Sequence, residues 1–208
     1  MSSRLTTFAT LVATVVAVSA LNLSQAQERI SKDEASRYAN LVGEAQKSLK
    51  DAPIATEVDV TRPVALRDGE YGAMVLPDKR LAADALAKVG TDVLPLGQLW
   101  LHKLAPLVDG AVVPNSKLKT ISPSGGELTA STVPCLFLGV RKSGDNLELV
   151  IYGKAKEPIQ TAKFKAISLT QELPIELDAT RENDGGLLKI RVLGKFEAEF
   201  KVTDPDQY

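Results

Sequence analysis

The chain has 208 residues, 44% hydrophobic and 25% charged, with a formal net charge of −1. That composition excludes a disordered polyelectrolyte, because enough apolar material is present to offset ordering entropy. It also argues against a dedicated nucleic-acid binder, which needs a concentrated positive surface. One Cys rules out an internal disulfide framework, and one His rules out a metal site built on two histidines.

The first element is a leader. Arg4 is the only charge before residue 28, and residues 5–27 form an uncharged run of 23 residues. Ser24 and Ala26 place small residues at the −3 and −1 positions of a cut between Ala26 and Gln27, and Val18-Ser-Ala20 offers a second cut. A charged start, an apolar stretch and a small-residue cut read as a secretory signal peptide over 1–26. The run is long enough to span a bilayer as an uncleaved anchor. Its many Thr, Ser and Asn residues make it weakly hydrophobic and favour cleavage. No Cys stands near the cut to receive a lipid. The expected destination is outside the cytoplasm, periplasmic or extracellular, with no transmembrane span left after processing.

A helix follows over 31–50. Ser31 and Glu34 have the S-x-x-E spacing of a capping box. Ala35, Tyr38, Leu41, Val42, Ala45 and Leu49 form one apolar stripe, and Pro53 closes the element. A short strand is expected over 57–61. A hairpin is expected around Asp68-Gly69, with Pro63 suited to an edge strand or a strand start. Asp78 is placed to cap a second helix carrying Leu81, Ala82, Ala85, Leu86 and Val89, stopped by Gly90. Between 93 and 113, Pro95, Gly97 and Pro106 forbid one long helix. A strand through Leu99-Trp-Leu101, a turn at Asp109-Gly110 and a return strand over 111–113 are expected instead.

From residue 117 the pattern is β. Strands are expected over 127–132, 134–141, 147–153, 161–168, 173–179, 187–193 and 195–202, separated by Gly-, Asn- and Ser-rich turns. The last hairpin alternates strictly. Leu188, Ile190 and Val192 interleave with Lys189 and Arg191, and Phe196, Ala198, Phe200 and Val202 interleave with Glu197, Glu199 and Lys201. The expected fold is α+β and β-rich. An N-terminal helix and small α/β region over 27–115 precede an antiparallel β-sandwich or small barrel over 116–208. The two regions form either separate units or one domain.

No assembled chemistry emerges from the motifs. Ser116 and Lys119 have the S-x-x-K spacing, but Pro114 precedes them, a β-rich stretch follows, and the companion motifs are missing. His102 has no G-x-S-x-G serine to serve. A dyad with Cys135 is set against that thiol's apolar neighbours over 133–140. Asp178, Glu182 and Asp184 flank a Gly-Gly turn, and Asp204 and Asp206 lie near the end, none with calcium-loop spacing. Lys154, Lys156, Lys163 and Lys165 cluster with Glu157 as the only acid among them; they read as protection of an edge strand rather than a polyanion site. No catalytic residue, metal ligand or cofactor is therefore assigned, and the ligand or partner stays unspecified.

The leading expectation is an exported, non-catalytic binding or structural protein. Two alternatives are a hydrolase of envelope polymers using paired carboxylates, and a carrier of a small apolar ligand in a barrel lumen behind Leu99, Trp100 and Phe137.

Overall fold

A computed structural model describes residues 28–123, 132–182 and 185–207. The leader with its cut site, and all but Thr132 of the strand expected over 127–132, lie outside those residues.

The described chain opens with a short strand, β1 (Glu28–Arg29), and the helix α1 (Lys32–Ala45). Ser31 caps α1 as expected, its hydroxyl accepting the Glu34 N–H at 3.2 Å. The Glu34 carboxylate does not complete the box. It accepts instead from Arg67 at 3.0 Å and from the Tyr38 hydroxyl at 3.4 Å. The helix ends at Ala45 and only a 3-10 turn, Gln46–Ser48, continues it, so it is shorter than its apolar stripe suggests.

Next come β2 (Val64–Asp68) and β3 (Tyr71–Pro77), joined through Gly69 and Glu70 with Asp68 opposite Tyr71. Gly69 takes φ 59°, the left-handed conformation that such two-residue turns demand. The hairpin thus forms one residue later than the Asp68-Gly69 pair implies.

The second helix does not form. Asp78 is fully buried and accepts from the backbone N–H of Glu57 at 2.8 Å and of Arg80 at 2.9 Å. It also accepts from the Arg80 guanidinium at 2.8 Å through both oxygens. The bond to the Arg80 N–H is one that a helix-capping acid makes, but the chain beyond it runs in turns, and only a 3-10 turn, Ala85–Lys88, follows. The strand expected over 57–61 reduces to one bridge, Val58 with Asp78.

Strand β4 (Leu94–His102) is followed by β5 (Ala105–Val108), β6 (Ala111–Val112) and β7 (Lys119–Ile121). The turn between β5 and β6 falls at Asp109 and Gly110, as expected. The remaining strands are β8 (Val133–Ser143), β9 (Asn146–Tyr152), β10 (Gln160–Lys163), β11 (Lys165–Ala166), β12 (Ile175–Glu182), β13 (Gly185–Val192) and β14 (Phe196–Thr203).

Two antiparallel sheets result. The larger runs β1-β2-β3-β4-β8-β9-β10, with β7 also on β8; the smaller runs β12-β13-β14-β5-β6, with β11 also on β14. The run expected as one strand over 161–168 is split: β10 joins the larger sheet and β11 the smaller, with Phe164 at the crossing. Both sheets draw strands from either side of residue 115, since β4 pairs with β8 and β5 with β14. Neither sheet returns to its first strand, so the barrel alternative is overturned.

The sheets share one apolar cluster. Leu66, Val75, Leu99, Leu136, Leu138 and Ile151 of the larger sheet meet Ile175, Leu177, Ile190, Val192 and Phe200 of the smaller. The other face of the larger sheet is covered by α1, where Ala35, Ala39 and Val42 pack with Ala65, Met74, Trp100, Cys135 and Phe137. The central strands of the larger sheet are therefore buried on both faces. The smaller sheet turns one face to water and carries cross-strand ion pairs there: Lys189–Glu199 at 3.1 Å, Arg191–Glu197 at 2.7 Å and Arg191–Asp178 at 3.0 Å.

Candidate functional site

Strand parity decides which side chains can meet. On β4, Leu99 points to the cluster between the sheets, whereas Trp100 points to the α1 side. Phe137 on β8 lies on the Trp100 side. The three residues expected behind one lumen are thus divided by the sheet itself.

On the α1 side the helix leaves part of the larger sheet uncovered. An open groove of about 360 Å³ lies there. Its apolar surface comes from Ile30, Tyr38 and Val42 on one flank and from Ala65, Met74, Trp100 and Val133 on the sheet. Gly72, on β3, widens it by having no side chain. The polar rim is Arg67, Glu70, His102 and Lys103. Arg67 is held by Glu34 at 3.0 Å, which ties the rim to α1. Lys103 pairs with Glu70 across the hairpin end, and that carboxylate raises the ammonium's pKa above its ordinary value. Trp100 is 2% exposed, and its indole Nε1–H is buried with no hydrogen-bond partner among the described residues. A buried donor without an acceptor is costly and calls for an explanation.

A second, smaller cavity of about 110 Å³ opens between the sheets at the same end of the molecule. Asp68, Tyr71, Arg181, Glu182 and Asp204 line it. Each acid there has a donor: Arg181 lies 3.6 Å from Asp68, Lys201 lies 2.9 Å from Glu182, and the Tyr71 hydroxyl donates to Asp204 at 2.7 Å. That hydrogen bond raises the Tyr71 pKa. The carboxylates thus stand as ion-pair and hydrogen-bond partners, and the space beside them is that of a few waters.

The other residues singled out from the sequence fall elsewhere. Cys135 is fully buried opposite Trp100, and burial pushes its thiol well above the ordinary range, so it stays protonated. Ser116 sits in a 3-10 turn, Asn115–Lys117, while Lys119 starts β7 and donates to the Lys50 carbonyl, so no helical turn aligns the pair. Asp178 pairs with Arg191, and Asp206 is exposed; Asp184 lies outside the described residues. Lys163 and Lys165 are exposed on β10 and β11, and β10 is the last strand of the larger sheet.

Trp100 and His102 were visible in the sequence, but their partners in the groove were not. Tyr38, Arg67, Gly72 and Val133 come from four separate elements, Ile30 from the link between β1 and α1, and they carry no common motif. The chain matches no family model, no curated protein and no solved structure.

Proposed function

We propose that this chain is an exported, non-catalytic binding protein, periplasmic, secreted or at the cell surface. Its two sheets form a sandwich, and recognition takes place in the groove beside α1. The groove carries the reading. Its volume of about 360 Å³ falls within the span of small-molecule sites. Its apolar floor and sparse polar rim are the make-up such sites have. It is open to one side. Export is supported by the charged start, the uncharged run and the small-residue cut before Gln27. Cleavage there keeps β1 and every described strand pairing.

Trp100 is the only Trp, so the groove contains its own fluorophore. Titration with Nile red, a neutral apolar dye, is expected to raise dye emission and to shift the Trp100 spectrum. Gly72→Leu fills the groove from β3. A Cβ at Gly72 meets its nearest neighbours, His102 and the Leu66 carbonyl, at 3.6 and 3.7 Å, which is ordinary contact. That variant is expected to fold and to lose the dye signal. Equal dye binding by the two proteins would remove the groove from the proposal. For export, the mass of the protein recovered from outside the cytoplasm is expected to start at Gln27; an intact chain confined to the cytosol overturns that half.

A further inference from the structure

Separately from the groove, we propose that a row of lysines where β9 ends and β7 begins binds a linear polyanion. Strand β8 carries β9 and β7 on one edge: Tyr152 at the end of β9 stands opposite Phe137, and Lys119 at the start of β7 stands opposite Cys135. The two strand ends therefore meet, and backbone contacts lock them. The Lys154 N–H donates to the Lys117 carbonyl at 2.8 Å, and a Cβ on Gly153 would lie 2.3 Å from that oxygen, an approach that glycine alone permits. On the other side, Lys119 donates from Nζ to the Lys50 carbonyl at 2.6 Å. Lys50, Lys119, Lys117, Lys154 and Lys156 thus follow one another as a row, although they come from three separate segments. None of the five forms an ion pair among the described residues. Asp51 and Glu157 are their only acidic neighbours in sequence. Lys163 and Lys165 differ. They stand opposite Glu148 and Glu197 in register and keep the edge-strand reading, whereas Lys154 and Lys156 lie on no strand. Like charges gathered without counter-charges repel one another, and an anion that spans several of them relieves that repulsion. A row suits a thread of charges better than a single ion. It also suits a thread better than a bilayer. Leu169 is the one large apolar side chain exposed among the described residues, and it sits by Gly194 at the β13–β14 turn, so the row has no apolar anchor to bury in lipid.

The test titrates linear polyphosphate into the protein. Binding is expected, with log K falling linearly with log salt at a slope of about −0.7 for each lysine engaged, or about −3.5 for all five. Lys117→Gln with Lys154→Gln is expected to weaken binding about tenfold or more at low salt and to flatten the slope by about 1.4. The hydrogen bond that joins these two positions uses backbone atoms alone, so the double variant keeps the loop in place. Lys163→Gln with Lys165→Gln removes the same charge and is expected to leave the affinity within about twofold. Equal losses from the two double variants would show that net charge, not the row, is at work, and would overturn the proposal, as would a failure of polyphosphate to bind. Orthophosphate bound as tightly as the polymer overturns it too, because that marks a seat for one ion. So does a preference for phosphatidylglycerol vesicles over polyphosphate, which marks a membrane-facing patch.

Discussion

Asp78 shows what a single buried charge does for this fold. Burial by itself would raise its pKa, but four donors from Arg80 and Glu57 outweigh that and hold the carboxyl below the ordinary carboxylate range. The folded state therefore favours the ionised form. The resulting stability is fully present above the unfolded-state value of about 3.9 and is lost as pH falls through the lower folded value. Asp78→Asn is expected to cost about 2 kcal/mol at neutral pH, because Glu57 N–H or Arg80 loses its acceptor. Urea midpoints of the two proteins should stay apart from pH 7 to about pH 4 and converge only below that, as the wild type loses its advantage. A gap that stays constant with pH would show that shape, not charge, is at stake. Residue by residue, the sequence conveyed chemistry better than place. Asp78 was recognisable as a capping acid, yet its partners lie in a loop 21 positions away and across its own turn. Cys135 was recognisable as a packed thiol because every neighbour in sequence is apolar.

Elements were legible where one face meets water. The β13–β14 hairpin alternates because the ion pairs of the smaller sheet lie opposite its buried side. Strand β4 gives no such rhythm. Leu96, Leu99, Trp100 and Leu101 are all buried, since α1 lies on one face and the smaller sheet on the other, so periodicity could not say which way Trp100 points. The false second helix has a similar origin: Leu81 and Leu86 are buried beside the inter-sheet cluster, but the segment is held in turns rather than in a helix. Strand β4 also contains a bulge, where the register against β8 shifts between Pro95 and Gly97. Gly97 has φ 150°, and a Cβ there would lie 2.2 Å from the Leu76 carbonyl oxygen. Backbone cannot yield as a side chain can, so the β3–β4 pairing would have to part. Gly97→Ala is expected to cost about 3 kcal/mol or more, read as a fall in the denaturant midpoint. A midpoint within experimental error of the wild type would mean the strands move apart freely.

At the scale of the whole molecule, the two sheets are joined by their common apolar cluster and by ion pairs along one edge. Arg29 reaches Glu176 at 3.3 Å and Arg181 reaches Asp68 at 3.6 Å, each linking one sheet to the other. Exposed pairs of this kind add little in water. Separation of the sheets is therefore governed by the apolar cluster, and unfolding should be cooperative. Cys135 offers a check, because β8 lies between β4, β7 and β9 and its thiol is reached only when that pairing opens. Labelling by a thiol reagent is expected to run at the rate or population of global unfolding and to rise steeply with denaturant. Fast labelling without denaturant would reveal a local opening of the sheet. The pairing of Trp100 with Cys135 across β4 and β8 has one more consequence. Directly opposed side chains on one face stand close enough to touch, and a thiol in contact with an excited indole drains its emission. The native protein should accordingly be dim and should brighten as it unfolds, and Cys135→Ala should be bright from the outset. Nature has thus set a lamp and its shutter side by side, so that the integrity of this interior can be followed by light alone.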